Sequence, residues 1–136
     1  MIEGWSDDRY MILFDEQESV AASGRYRIDD AIPGLTIVGL LGWDDFIVRN
    51  EGGKTFTVPT IPINKAELQP FAIPEDPSLT SDPAVRRKIK WYITPIVFGG
   101  DPGAGDNLTW VSHEQHCELV LWWNNKYREI ENQNNA

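Results

Sequence analysis

The sequence predicts an α+β fold in which a central, mainly antiparallel β-sheet carries a long C-terminal amphipathic helix packed on it. The stretch Leu35–Leu41 (LTIVGLL) is a continuous apolar and β-branched run, which is typical of a strand. Phe46–Asn50 and Lys54–Val58 flank a turn that contains two glycines, and this arrangement predicts a hairpin. Near the C-terminus, Ser112 precedes Gln115 by three residues, the spacing of a helix capping box.

The N-terminal third gives weaker patterns. Arg9–Phe14 (RYMILF) is a short apolar run that predicts a first strand. Glu16–Ala22 is expected to form a brief helix that Ser23 and Gly24 end. After Leu35–Leu41, a further strand is expected within Trp43–Asn50.

Prolines mark the middle of the chain. Residues 59–82 are expected to form a long surface connection, because proline lacks the amide donor that a paired strand needs. The prolines concerned are Pro59, Pro62, Pro70, Pro74 and Pro77. Lys88–Phe98 returns to β-type residues but is interrupted by Pro95, which indicates an edge strand or a strand that starts after the proline.

The final helix is expected to run from Ser112 to about Glu131, with the last five residues frayed. Helical spacing places one set of apolar residues on a common buried arc: Leu119, Val120, Trp123, Tyr127 and Ile130. The chain shows no repeat of fixed period and no break in composition, so residues 1–136 are expected to form one domain.

The charge balance limits the classes of partner. Twelve Lys and Arg residues stand against 21 Asp and Glu, a net charge of −9. This charge repels phosphate backbones and anionic lipid, so we expect no direct nucleic-acid binding and no membrane association. It also favours attraction to a basic protein, although simple solubility is the more common reason for an acidic surface.

Cysteine content and the N-terminal residues bear on location. Cys117 is the single cysteine, which excludes an intramolecular disulfide and a thiolate zinc cluster. The first ten residues, MIEGWSDDRY, carry acids where a secretory signal has basic residues followed by an apolar run. We therefore expect a cytoplasmic protein.

Few residues point to catalysis. His113 and His116 are three apart, whereas a two-histidine zinc helix places its ligands four apart, and His116 falls on the buried arc. Cys117 follows His113 by four residues, but a thiol on the inner side of a helix behaves as a small hydrophobe. The glycine-rich loop Gly99–Asp106 lacks the lysine and hydroxyl residue of a P-loop. We assign no catalytic residue, no metal ligand and no cofactor.

Four residues are candidates for binding a partner. Trp43, Asp44 and Asp45 combine an aromatic ring with two acids, which suits a basic partner, although core packing is the favoured role of Trp43. Trp122 falls on the polar arc of the last helix and is either an exposed anchor or a ring covered by another segment. If Trp122 is exposed, it and Leu121 provide a surface for a homodimer.

Two stretches of the sequence resemble the SUKH superfamily, which includes the yeast cell-wall assembly regulator and many bacterial immunity proteins. They are PGLTIVGLLGWDDFIVRNEGGKTFTVPTIP and PIVFGGDPGAGDNLTWVSHEQHCELVLWWNNKYRE. The second is similar to bacterial members that end in a glycine-rich turn, a short strand and a helix. The resemblance implies an α+β fold with an antiparallel sheet, no cofactor, and a role in neutralising a toxin that is often a nuclease.

Two functional hypotheses result. The first is a non-catalytic protein-binding domain of the immunity type, whose partner is a basic toxin. The alternative is a small hydrolase or metal-dependent enzyme that uses His113, His116 or the acidic glycine loop.

Overall fold

The computed structural model describes residues 1–75 and 78–134. In these ranges the chain forms three α-helices: Glu16–Arg25 (α1), Ile28–Ala31 (α2) and His113–Asn134 (α3). It also forms eight strands: Ile2–Ser6 (β1), Arg9–Leu13 (β2), Thr36–Leu41 (β3), Asp45–Arg49 (β4), Thr55–Pro59 (β5), Gln69–Pro70 (β6), Ile89–Tyr92 (β7) and Leu108–Val111 (β8). None of the helices in the described ranges is long and apolar enough to cross a membrane.

The strands form two antiparallel sheets. The larger has six strands in the order β1-β2-β3-β4-β5-β6, so each strand pairs with its neighbours in the sequence. The smaller consists of β7 and β8. With the long C-terminal helix α3, this arrangement confirms the predicted α+β class with its antiparallel sheet.

Both faces of the large sheet are buried, which explains why β3 reads as a continuous apolar run. One face contributes to the main core, where β2, β4 and β5 meet α3 and β7. The opposite face carries a smaller cluster formed by Met11, Val38, Leu41 and Ile47. A β-bulge between Ile37 and Gly39 shifts the register of β3 against β4.

Helix α1 is longer than expected. Asp15 and Glu18 form a capping box at its start. The predicted end at Ser23 and Gly24 is wrong, because the helix continues through both residues to Arg25. Its last turn is held against β3, since the Ser23 hydroxyl accepts a hydrogen bond of 2.9 Å from the Ile37 amide.

The proline-rich segment is more than a surface connection, so that expectation is corrected. Pro59 ends β5 opposite Asp45, and Pro70 lies in the short edge strand β6, where a missing amide donor is tolerated. Further along, the side chains of Phe71, Ile73 and Leu79 pack against the smaller cluster on the sheet. Pro77 lies outside the described residues.

The C-terminal part follows the predictions more closely. Strand β7 ends before Pro95, so a strand after the proline is wrong, and a 3₁₀ turn, Ile96–Phe98, follows instead. The Ser112–Gln115 capping box is present, with distances of 2.9 and 3.1 Å. Helix α3 extends to Asn134, beyond the expected end at Glu131, so only the last two residues of the expected frayed tail lie outside the description.

Candidate functional site

An open cleft of about 150 Å³ lies between the end of the large sheet and the small sheet. We call it the acidic cleft. One side comes from the β3–β4 turn and the residues that follow β5, and the other from β7 and the turn after it. Its lining residues are Trp43, Asp44, Asp45, Pro59, Thr60, Ile61, Trp91, Tyr92, Pro95, Ile96 and Val97.

Trp43 forms part of the cleft wall from within the core. Its side chain is only 7% exposed, so it packs as the favoured sequence interpretation proposed and offers little surface of its own. The ring stacks on Tyr10 at 4.8 Å and meets Trp5 and Trp110 edge to face at 5.6 and 5.1 Å. These contacts hold Trp43 at a φ of 63°, a left-handed conformation that a bulky residue rarely adopts.

Asp44 and Asp45 follow directly and bring two carboxylates to the cleft. Partial burial raises the pKa of both side chains, while Lys90 lowers that of Asp44 and Arg9 lowers that of Asp45. Asp44 keeps more contact with solvent than Asp45, which is half-buried. Within residues 1–75 and 78–134, neither carboxylate forms an ion pair or a side-chain hydrogen bond.

Large apolar side chains are exposed around the cleft. Ile96 and Val97 line it, Ile93 follows the lining residue Tyr92, and all three are about half exposed. We call these three residues the apolar rim. Trp110, whose ring contacts Trp43, is also exposed. Apolar side chains of this size concentrated around one cleft are typical of an interaction surface.

Trp122 is an exposed aromatic residue on α3. It is 55% exposed, which decides between the two sequence interpretations in favour of an uncovered ring. Its ring contacts Trp123 edge to face at 4.8 Å, and Trp123 contacts Phe98 at 4.7 Å, next to Val97 in the chain. A chain of aromatic contacts therefore connects Trp122 with the apolar rim.

The buried face of α3 differs in part from the expected arc. Ile130 was expected to be buried but is 37% exposed, since the helix extends past the core near its end. The buried positions are four residues apart: His116 and Val120, as expected, and Asn124, which was not expected. We call these residues and their direct partners the α3 seam.

His116 has a structural environment, as its place on the buried arc indicated. Its Nδ1 is 2.6 Å from the hydroxyl oxygen of Tyr26, and its ring contacts Phe46 and Trp91 edge to face. Burial lowers the pKa of His116 to about 3, so the ring is neutral at pH 7. Its Nε2 is buried and has no hydrogen-bond partner among the described residues.

Asn124 was missed in the sequence. Its side chain accepts a hydrogen bond from the Ile63 amide at 2.8 Å and donates to the Thr60 and Val120 carbonyls at 2.7 and 2.9 Å. It therefore fixes the segment after β5, one side of the acidic cleft, against α3. Its spacing could have indicated this position, because Asn124 follows Val120 by four residues and His116 by eight, which places all three on one face of the helix.

Two of the residues considered for catalysis, His113 and Cys117, are partly buried on α3. The Cys117 thiol donates to the Arg25 carbonyl at 3.2 Å, and burial raises its pKa, which favours the less reactive protonated form. Burial lowers the pKa of His113. In the part of the chain that the structure describes, no three His, Cys, Asp or Glu side chains lie close enough together to hold a metal ion.

The structure thus brings together Trp43, Asp44 and Asp45 in the acidic cleft and connects Trp122 to its rim. The opposite wall, formed by Trp91, Tyr92, Pro95, Ile96 and Val97, was not predicted from the sequence. Chemically, the site offers apolar contact area, aromatic side chains and two carboxylates that have no ion pair or side-chain hydrogen bond within the described residues. No family model, no curated protein and no solved structure matches the chain.

Proposed function

We propose that this protein is a non-catalytic protein-binding domain that docks a basic protein on the face formed by the acidic cleft, the apolar rim and Trp122. The observation that carries the proposal is the exposure of large apolar side chains around a cleft with two unpaired carboxylates. A central apolar and aromatic patch supplies contact area, and complementary charge supplies attraction and orientation.

The net charge of −9 supports the same proposal, because it attracts a basic partner over a distance before contact is made. The resemblance of the sequence to the SUKH superfamily suggests the biological setting: an immunity protein that neutralises a toxin such as a nuclease. A cytoplasmic location, inferred from the single cysteine and the N-terminal residues, stays a prediction.

An affinity capture tests the proposal. The purified chain is immobilised and exposed to a lysate of the cells that produce it, at low and at high salt. We expect a basic, nuclease-like protein to bind at low salt and to be released at high salt. The captured protein should then bind the purified chain directly and lose its toxic activity in the mixture.

Two charge-reversal variants locate the surface. Asp45→Lys should abolish capture, whereas Glu51→Lys should not. Glu51 is exposed in the β4–β5 turn, at the opposite end of β4 from Asp45, so the two variants change the net charge equally. If both variants lose capture equally, the overall charge of the chain, and not the position of Asp45, explains the binding. If Asp45→Lys leaves capture unchanged, the cleft has no role in it.

Two other results would point elsewhere. A dimer in sedimentation that Trp122→Glu dissociates would indicate that a second copy of the chain covers this face. Stoichiometric metal in the purified protein would support the alternative of a small hydrolase or metal-dependent enzyme.

A further inference from the structure

We propose that the acidic cleft is an arginine pocket, which receives a guanidinium group of the partner beside the Asp44 and Asp45 carboxylates and against the Tyr92 ring. This inference rests on the proposed function and specifies the chemical group that the cleft would recognise.

The first argument is the state of the carboxylates. A carboxylate that loses water without gaining a partner is destabilised, and a buried charge is normally paired. Asp45 is half-buried, yet neither it nor Asp44 has an ion pair or a side-chain hydrogen bond within the described residues. A cation supplied by a partner would compensate both groups at once.

The second argument is the nature of the walls. Tyr92 lines the cleft and is half-buried, whereas its neighbour Trp91 is only 6% exposed and packs its ring against His116. The ammonium group of Lys90 already lies over the Tyr92 ring, 5.4 Å from its centre. The Tyr92 ring therefore has a face that accepts a cation. Lys90 also lowers the pKa of Asp44, so it is a competing positive charge at the edge of the site.

The third argument selects arginine over lysine. A guanidinium is planar, is weakly hydrated and can stack on an aromatic face while it donates hydrogen bonds to carboxylates. A lysine ammonium is a strongly hydrated point charge that gains less from such walls. The cavity of about 150 Å³ equals several water molecules of ~30 Å³ each, which is enough for the head group.

The test uses three small probes on the purified, isotope-labelled chain: acetyl-arginine amide, acetyl-lysine amide and acetyl-citrulline amide. Citrulline has nearly the shape of arginine but is neutral. In NMR titrations, we expect acetyl-arginine amide to shift the indole signals of Trp43 and Trp91 with a dissociation constant of about 1–10 mM, the range of a single weak contact. Lysine and citrulline probes should bind at least about fivefold more weakly.

Two variants should change the affinity for the arginine probe in opposite directions. Asp45→Asn should weaken arginine binding about fivefold, as expected for one partly screened charge pair. Lys90→Met should strengthen it about twofold by removing the competing cation. The matched control Glu51→Gln should change neither. No shift at the indoles, or equal binding of citrulline or lysine, would overturn the arginine pocket.

The two proposals fail separately. If a basic protein is captured and Asp45→Asn leaves its affinity unchanged while Val97→Asp abolishes it, the docking face is correct and the arginine pocket is wrong. If the arginine probe binds in the cleft but no protein partner is found, the pocket is correct and the proposed function is wrong.

Discussion

The α3 seam and the acidic cleft both contain polar side chains, but the two regions pair them differently. In the seam, Asn124 makes three hydrogen bonds and His116 Nδ1 is bonded to Tyr26. In the cleft, Asp44 and Asp45 have no ionic or hydrogen-bonding partner among the described residues. Apart from His116 Nε2, the side-chain polar atoms of the seam are paired inside the chain, whereas the two carboxylates of the cleft remain available to an outside partner.

Asn124→Ala should produce the largest loss of stability. The substitution leaves the Ile63 amide and the Thr60 carbonyl buried without their partner, which costs about 3 kcal/mol in the free energy of unfolding. Chemical denaturation measures it. The neighbouring Asn125→Ala is the control, since Asn125 is exposed and should cost less than ~0.5 kcal/mol. Similar losses at the two positions would contradict the role of the seam.

Acid should weaken the seam before it affects the cleft. The folded state holds the pKa of His116 at about 3, below its unfolded value of 6.5, so the unfolded chain takes up the proton first. Stability is therefore complete above pH 6.5 and falls as the pH drops toward 3. Between pH 7.5 and 5.5 we expect a loss of about 1.4 kcal/mol from this group.

Denaturation curves at the two pH values test this, and His116→Gln should remove most of the dependence. His113, whose pKa is also lowered by burial, contributes in the same direction, so His113→Gln serves as the comparison. A slope unchanged in the His116 variant would show that another group titrates.

Asp45→Asn should change the free energy of unfolding in the opposite direction, toward greater stability, and by a smaller amount. Burial raises the pKa of Asp45 in the folded chain, so its charged form opposes folding at neutral pH. The amide should therefore increase stability at pH 7, by less than about 1 kcal/mol. The gain should vanish below pH 3.8, where the unfolded carboxyl is also protonated. Destabilisation at pH 7 would show that Asp45 serves folding.

Trp122→Ser should have the smallest effect on stability and a large effect on binding. The ring is mostly exposed, so we expect a change within about 0.5 kcal/mol. Capture of the partner should be strongly reduced, because an exposed tryptophan at an interface often carries much of the binding energy. Val20 is also an exposed apolar residue, but it lies on α1, so Val20→Ser should leave capture unchanged.

Local patterns predicted local structure well. The hairpin of β4 and β5 and the capping box of α3 each depend on residues a few positions apart, so the sequence contained the relevant information. Strand β1 (IEGWS) was missed because little in these residues alternates, and its pairing depends on β2 and, at Trp5, on Thr80.

The site was predictable only on one side. Trp43, Asp44 and Asp45 are adjacent in the chain and form a recognisable combination of an aromatic ring with acids. The opposite wall comes from residues about 50 positions later, and only the packing of β7 beside the large sheet brings it near. Whether Trp122 is covered likewise depended on the path of other segments, which spacing along α3 cannot show.

The bulge in β3 has a consequence for how this sequence can vary. A Cβ atom at Gly39 would collide with the Ile12 carbonyl of β2, so no other residue fits there without separating the strands. The neighbouring Leu40 and Leu41 lie in different clusters and can exchange for other apolar residues. Distant relatives should therefore keep a glycine at this point while the apolar residues around it change.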